Sequence, residues 1–76
     1  MFYIIETQEN KDGTAGILTF TEQYKNDAIS KWHDILHYAA VSNVYRHSCI
    51  VLDSSLKTVA RESYLHLGEG EDVSQG

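Results

Sequence analysis

The chain opens on apolar residues at both parities, Phe2, Tyr3, Ile4 and Ile5, in a run from Phe2 to Gln8. A strand apolar on both sides is a central one, because each of its faces meets other protein. Asn10-Lys11-Asp12-Gly13 breaks the run with a turn signal whose strongest part is Asp-Gly. From Ala15 to Thr21 the period is two, with Leu18 and Phe20 on one side and Ile17, Thr19 and Thr21 on the other. The two runs make a predicted hairpin, with Gly16 marking a candidate bulge.

Between Asn26 and Ser42 the period lengthens to that of a helix. Ala28, Trp32, Ile35, Leu36 and Ala39 share one side of the helical wheel, Ile29 and Ala40 flank it, and Asp27, Lys31 and Asp34 lie opposite. This is an amphipathic helix whose largest apolar anchor is Trp32. Asn26 is the predicted N-cap, with Thr21 the alternative, and Asp27 then sits at the positive end of the helix dipole. Asn43, a residue that tolerates the left-handed conformation, marks the predicted C-terminal end. Tyr45 to Asp53 returns to a strand, central because Ile50-Val51-Leu52 is apolar at both parities. Asp53-Ser54-Ser55 turns the chain, and Lys57 to Tyr64, largely polar, reads as an edge strand.

The predicted fold is therefore α+β: a ββαββ domain over residues 1–66, with a four-stranded antiparallel sheet in the order 2-1-3-4 and one helix on one face. Residues 67–76, LGEGEDVSQG, hold too little apolar surface for a core and are expected to form a disordered acidic tail. One helix leaves the second sheet face open. Tyr3, Ile5, Ile17 and Val51, with Cys49, are expected on it. An apolar open face on so small a domain marks an interface, and a homo-oligomer is the expected remedy.

Charge and cysteine usage narrow the partners. The net charge of −5 draws three units from Glu69, Glu71 and Asp72. With six basic residues scattered along the chain, direct nucleic-acid binding is not expected, since that needs clustered Lys and Arg against phosphate. A basic protein partner remains compatible with the acidic surface. The single cysteine, Cys49, excludes an internal disulfide framework and fits a reducing compartment. Met1 leads straight into strand residues without a signal-peptide pattern, and no apolar run has membrane-spanning length, so a cytoplasmic protein is expected.

Few residues suggest chemistry. His33 and His37 stand at i and i+4, a spacing that can share a metal ion. His33-Asp34-Ile35-Leu36-His37 approaches H-E-x-x-H, but with a shorter base and no third ligand at a recognised spacing. A more ordinary role for such histidines is at the rim of a core. Cys49 and His47 share a strand face and have the composition of a nucleophile pair, against the plainer reading of a buried thiol. There is no glycine-rich phosphate loop, and no cofactor is expected. Tyr38 and Tyr45, with Arg46, His47 and Arg61, form a candidate binding set: aromatic rings to stack and cations to hold a phosphate. Tyrosines at such positions also serve as ordinary packing.

Several segments together carry a family resemblance: Tyr38-Ala39-Ala40-Val41-Ser42-Asn43-Val44, His47, Ile50-Val51-Leu52-Asp53 and Glu62-Ser63-Tyr64-Leu65-His66. In these the chain resembles a loose group of small proteins carried by gut Firmicutes, their mobile elements and their phages. The resemblance covers the C-terminal two-thirds. It implies a setting rather than a chemistry: small acidic phage proteins without catalytic motifs often inhibit host defence. The resulting expectation is a non-enzymatic binding protein acting on a bacterial defence protein in the host cytoplasm. Alternatives are an oligomeric sponge for a signalling nucleotide and a metal-binding protein using His33 and His37.

Overall fold

The computed structural model describes the backbone of residues 1–68 and 71–74 and the side chains of residues 1–66. β1 (Phe2–Glu9) and β2 (Ala15–Glu22) form the N-terminal hairpin, and α1 (Lys25–Val41) follows. β3 (Arg46–Leu52) and β4 (Thr58–Gly68) form the second antiparallel pair. β1 pairs with β3, which gives the α+β order β2-β1-β3-β4 that the hydrophobic pattern predicts. A further strand, β5 (Glu71–Ser74), pairs antiparallel with β4.

The hairpin turn is built from its own side chains. Gly13 N–H donates to the Asn10 carbonyl oxygen at 3.0 Å, and Asn10 N–H to that of Thr14 at 2.8 Å. Gly13 takes φ of 91°, a conformation that only a residue without Cβ adopts freely. Asp12 accepts from the Thr14 hydroxyl at 2.7 Å and the Thr14 N–H at 2.9 Å, and these bonds hold its carboxyl below the usual carboxylate range. From this turn the register runs unbroken between Glu9↔Ala15 and Phe2↔Glu22, so Gly16 makes no bulge.

The N-cap of helix α1 lies two residues before the predicted one. Tyr24, in extended conformation and without a side-chain cap bond, is the N-cap, so neither Asn26 nor Thr21 takes that role. Ala28 N–H already reaches back to the Tyr24 carbonyl oxygen at 3.0 Å, which places Asn26 inside the first turn. Asp27 does lie in that turn, at the favourable end of the dipole. At the other end Ser42 is extended (φ −74°, ψ 159°), and its N–H bonds to the Ala39 carbonyl oxygen at 3.4 Å. The left-handed stop expected at Asn43 is absent. Among the described residues other than glycine, Leu56 is the one with positive φ, at 64°.

The core lies between α1 and one sheet face. Ala28, Ile35, Leu36 and Ala39 are buried against Ile4, Cys49 and Val51, with Phe2, Phe20, Trp32 and Tyr64 packed around them. Ile4 and Val51 are fully buried, each worth about 1.5–3 kcal/mol relative to exposure. Trp32 is only half-buried, and its indole N–H donates to the Cys49 carbonyl oxygen at 3.1 Å, tying helix to sheet. Val51 and Cys49, expected on the open face, are thus beneath the helix. The register pairs Ile4 with Val51 and Ile5 with Ile50, so Ile50 takes the open-face position. In a run apolar at both parities, a one-residue change of register moves every side chain to the opposite face.

β4 is not an edge strand, because β5 pairs with it through Leu65↔Val73 and its neighbours. Within 67–76, expected as a disordered acidic tail, the described backbone covers 67–68 and the β5 strand; residues 69, 70, 75 and 76 lie outside the described residues. Strand pairing satisfies the backbone N–H and C=O groups of the β4 edge and does not require apolar side chains, which is why composition did not reveal it. Among the described residues no helix is long and apolar enough to cross a membrane.

Candidate binding face

On the face away from α1, the strand register arranges side chains into rows across four strands. One row runs Thr19–Ile5–Ile50–Arg61, the next Ile17–Thr7–Ser48–Ser63, and the next Ala15–Glu9–Arg46–Leu65. A row of hydroxyls on β1, β3 and β4 is therefore flanked on each side by a row holding one arginine. Successive rows on a face are about 7 Å apart, so the two arginine stems start about 13 Å apart along the strands. Guanidinium groups on such long stems can converge above Ser48 and Ser63. A concavity of about 400 Å³ opens here, floored by Ile5 and Ile50 and rimmed by Thr7, Arg46, Ser48, Arg61 and Ser63. That volume is within the range of small-ligand sites.

The electrostatics of this face run against the net charge of the chain. Both arginines of this −5 chain sit on it, while its lysines, Lys11, Lys25, Lys31 and Lys57, lie elsewhere. No ion pair or hydrogen bond engages the Arg46 or Arg61 side chain among the described residues. Glu9 stands directly opposite Arg46 in the register but is exposed at the strand end. Glu62, also at the rim, turns its carboxylate back to accept from the Ser63 N–H at 3.2 Å. Arg46 Nε is buried with no acceptor. A buried donor left unsatisfied costs about 1–3 kcal/mol.

The sequence-derived binding set is divided by this geometry. Arg46 and Arg61 share the concavity. Tyr38 is 69% exposed on α1, in the other layer of the fold, with its ring edge-on to His37. Tyr45 is half-buried, and Lys11 Nζ lies 5.8 Å from its ring centroid. His47 does not join the arginines: it is buried under the helix, at the parity of Cys49 and Val51. Of the interface candidates, Tyr3, Ile5 and Ile17 are on the open face and Val51 is not.

Beneath the helix lies a polar cluster that sequence reasoning missed. His47 Nε2 meets Glu6 Oε2 at 2.5 Å, and its Nδ1 lies 3.3 Å from Ser42 Oγ, which also accepts from the Val44 N–H at 3.0 Å. His66, also buried, donates from Nε2 to the Ala39 carbonyl oxygen at 2.7 Å. Together these bonds pin the C-terminal end of α1 to β1, β3 and β4. The signal for Glu6 was its shared parity with Ile4, which directs a carboxylate toward the core. The Cys49 thiol is pushed up to about 12, first by burial and then by the Glu6 charge. It is therefore neutral at ordinary pH and a poor nucleophile, while the Nε2 of His47 is committed to Glu6.

His33 and His37 are exposed on α1, their rings beside Trp32 and Tyr38 with centroid distances of 5.0 Å and 5.3 Å. Among the described residues no group of three or more His, Cys, Asp or Glu side chains is placed to hold a metal ion. Compared with protein families, with curated proteins and with solved structures, the chain finds no match in any of the three.

Proposed function

We propose that this protein is a non-enzymatic binding module that recognises an anionic ligand on the open sheet face and sequesters it without transforming it. The observation that carries this reading is the pair of arginines flanking a hydroxyl row above a concavity of about 400 Å³. The same charges bear on self-association. Packing this face on a second copy around a two-fold axis brings arginine-bearing surfaces together, and like charges in a desolvated contact are costly. An anionic occupant fits better.

In the setting implied by the sequence resemblance, sequestration means removing a small signalling molecule on which host defence depends. A second reading, capture of a defence protein, is favoured by one observation: Ile17, 68% exposed, continues the apolar strip of Tyr3 and Ile5 beyond the concavity. Native mass spectrometry of the protein purified from its natural background separates the two. A small anion retained by the native chain and released intact on heating supports sequestration. A bare chain that binds an acidic protein supports the second reading, and a chemically altered product refutes both.

A further inference from the structure

We infer that the open-face concavity is a site for a phosphate-bearing small molecule such as a nucleoside phosphate, with the phosphate between Arg46 and Arg61 above Ser48 and Ser63. The inference rests on the binding-face reading and names the ligand class. Four features of this face support it. Ser48 pairs directly with Thr7 on one side and Ser63 on the other, so hydroxyls from three strands form a row. Arg61 lies one row to one side of these hydroxyls and Arg46 one row to the other. A phosphate has three or more oxygens to share among two guanidinium forks and neighbouring hydroxyls, whereas a carboxylate has two; arginine forks match this geometry bidentately.

The third feature is Arg46 Nε, buried without an acceptor. A rotation that turns Nε and one Nη toward an incoming oxygen makes the fork bidentate and removes the unsatisfied donor. The fourth is the Ile5–Ile50 floor beside the hydroxyl row, which offers an apolar bed for the non-phosphate part of the ligand. Two carboxylates stand near: Glu9 is exposed beyond the Arg46 row, and Glu62 lines the concavity with its Oε1 accepting from the Ser63 N–H.

The test is a titration of the ¹⁵N-labelled full chain, followed by amide chemical shifts, with adenosine 5′-monophosphate, adenosine, inorganic phosphate and benzoate as separate probes. The expected result is saturable movement of the Thr7, Ser48 and Ser63 amides with the monophosphate, weaker movement with inorganic phosphate, and none with adenosine. Affinity falls as salt rises, because the contact is between charges. Arg46→Gln and Arg61→Gln each weaken monophosphate binding by about tenfold or more while circular dichroism stays unchanged. Adenosine matching the monophosphate overturns the inference, as does silence of both phosphate probes up to about 10 mM, where even a weak site fills. Benzoate alone moving the same amides overturns the phosphate assignment but leaves the binding-face reading standing. Shifts confined to α1 overturn both.

Discussion

Removing the imidazole of His47 is the sharpest probe of how this small fold holds together. In His47→Leu the Glu6 carboxylate, its side chain 12% exposed, loses its 2.5 Å partner. It keeps the Gln8 side-chain amide, which donates to Glu6 Oε2 at 3.1 Å. Leaving a buried acceptor without its hydrogen-bond partner costs about 1–3 kcal/mol, and the surviving Gln8 contact keeps this case from the upper end. A 76-residue domain has a total stability of about 4–11 kcal/mol, so the variant loses a large share of it. The double replacement Glu6→Leu with His47→Leu removes both polar groups from the core and is expected to be more stable than His47→Leu alone. Urea unfolding at pH 7, read by circular dichroism and by the fluorescence of Trp32, measures all four corners of the cycle. A loss of less than about 1 kcal/mol in His47→Leu, or additivity of the two changes, would refute the coupling between His47 and Glu6.

Other outcomes follow from the same geometry. Val51→Asp puts a charge into the fully buried core and is expected to unfold the chain, while Ile50→Asp, on the open face, leaves the fold intact; equal behaviour in a thermal melt contradicts the face assignment. Trp32→Phe loses the bond to the Cys49 carbonyl and costs about 0.5–1.5 kcal/mol in urea unfolding; no loss means the bond adds nothing to stability. Leu56→Gly relieves a left-handed leucine at an exposed site, and a gain of about 0.5–1 kcal/mol is expected; a lower melting temperature argues against backbone strain there. The Cys49 thiol is raised from 9.0 to about 12, so its contribution to stability is intact below pH 9 and lost as pH climbs from there toward 12. A Cys49→Ala variant should lack that decline, and native protein at pH 8 should resist alkylation until it unfolds.

The sequence was most readable where one period dominated. Leu18 and Phe20 against Ile17 and Thr19 disclosed β2, and the spacing of Ala28, Ile35, Leu36 and Ala39 disclosed the buried side of α1. Ile50-Val51-Leu52 disclosed a central strand but not its faces, because consecutive apolar residues carry no parity. Only the helix, by covering Val51 and leaving Ile50, resolves it. The same ambiguity put His47 among the binding residues. Arg46 and Arg61 were recognised as a pair of cations, yet the hydroxyl row between them depends on the pairings Thr7↔Ser48 and Ser48↔Ser63, which join distant segments. Glu6 and Ser42 went unnoticed for a related reason: each gains meaning only from His47 beside it.

The hairpin register has one more consequence, at the free margin of β2. Asn10 and Thr14 form a hydrogen-bonded pair, so alternate pairs bond across the hairpin and Ala15, Ile17, Thr19 and Thr21 turn their N–H and C=O groups outward. Natural sheets guard such margins with lysine, proline or a bulge. Residues 15–22 contain neither lysine nor proline, and their register is unbroken. This segment is thus a template on which a partly unfolded copy can lay its own 15–22 stretch, and repetition of that step makes a growing β-aggregate. Prolonged incubation near the melting temperature is therefore expected to yield thioflavin-positive deposits that seed fresh protein. A lysine in place of Thr19, an exposed position of this edge strand, would act as a gatekeeper and slow that growth without disturbing the folded chain.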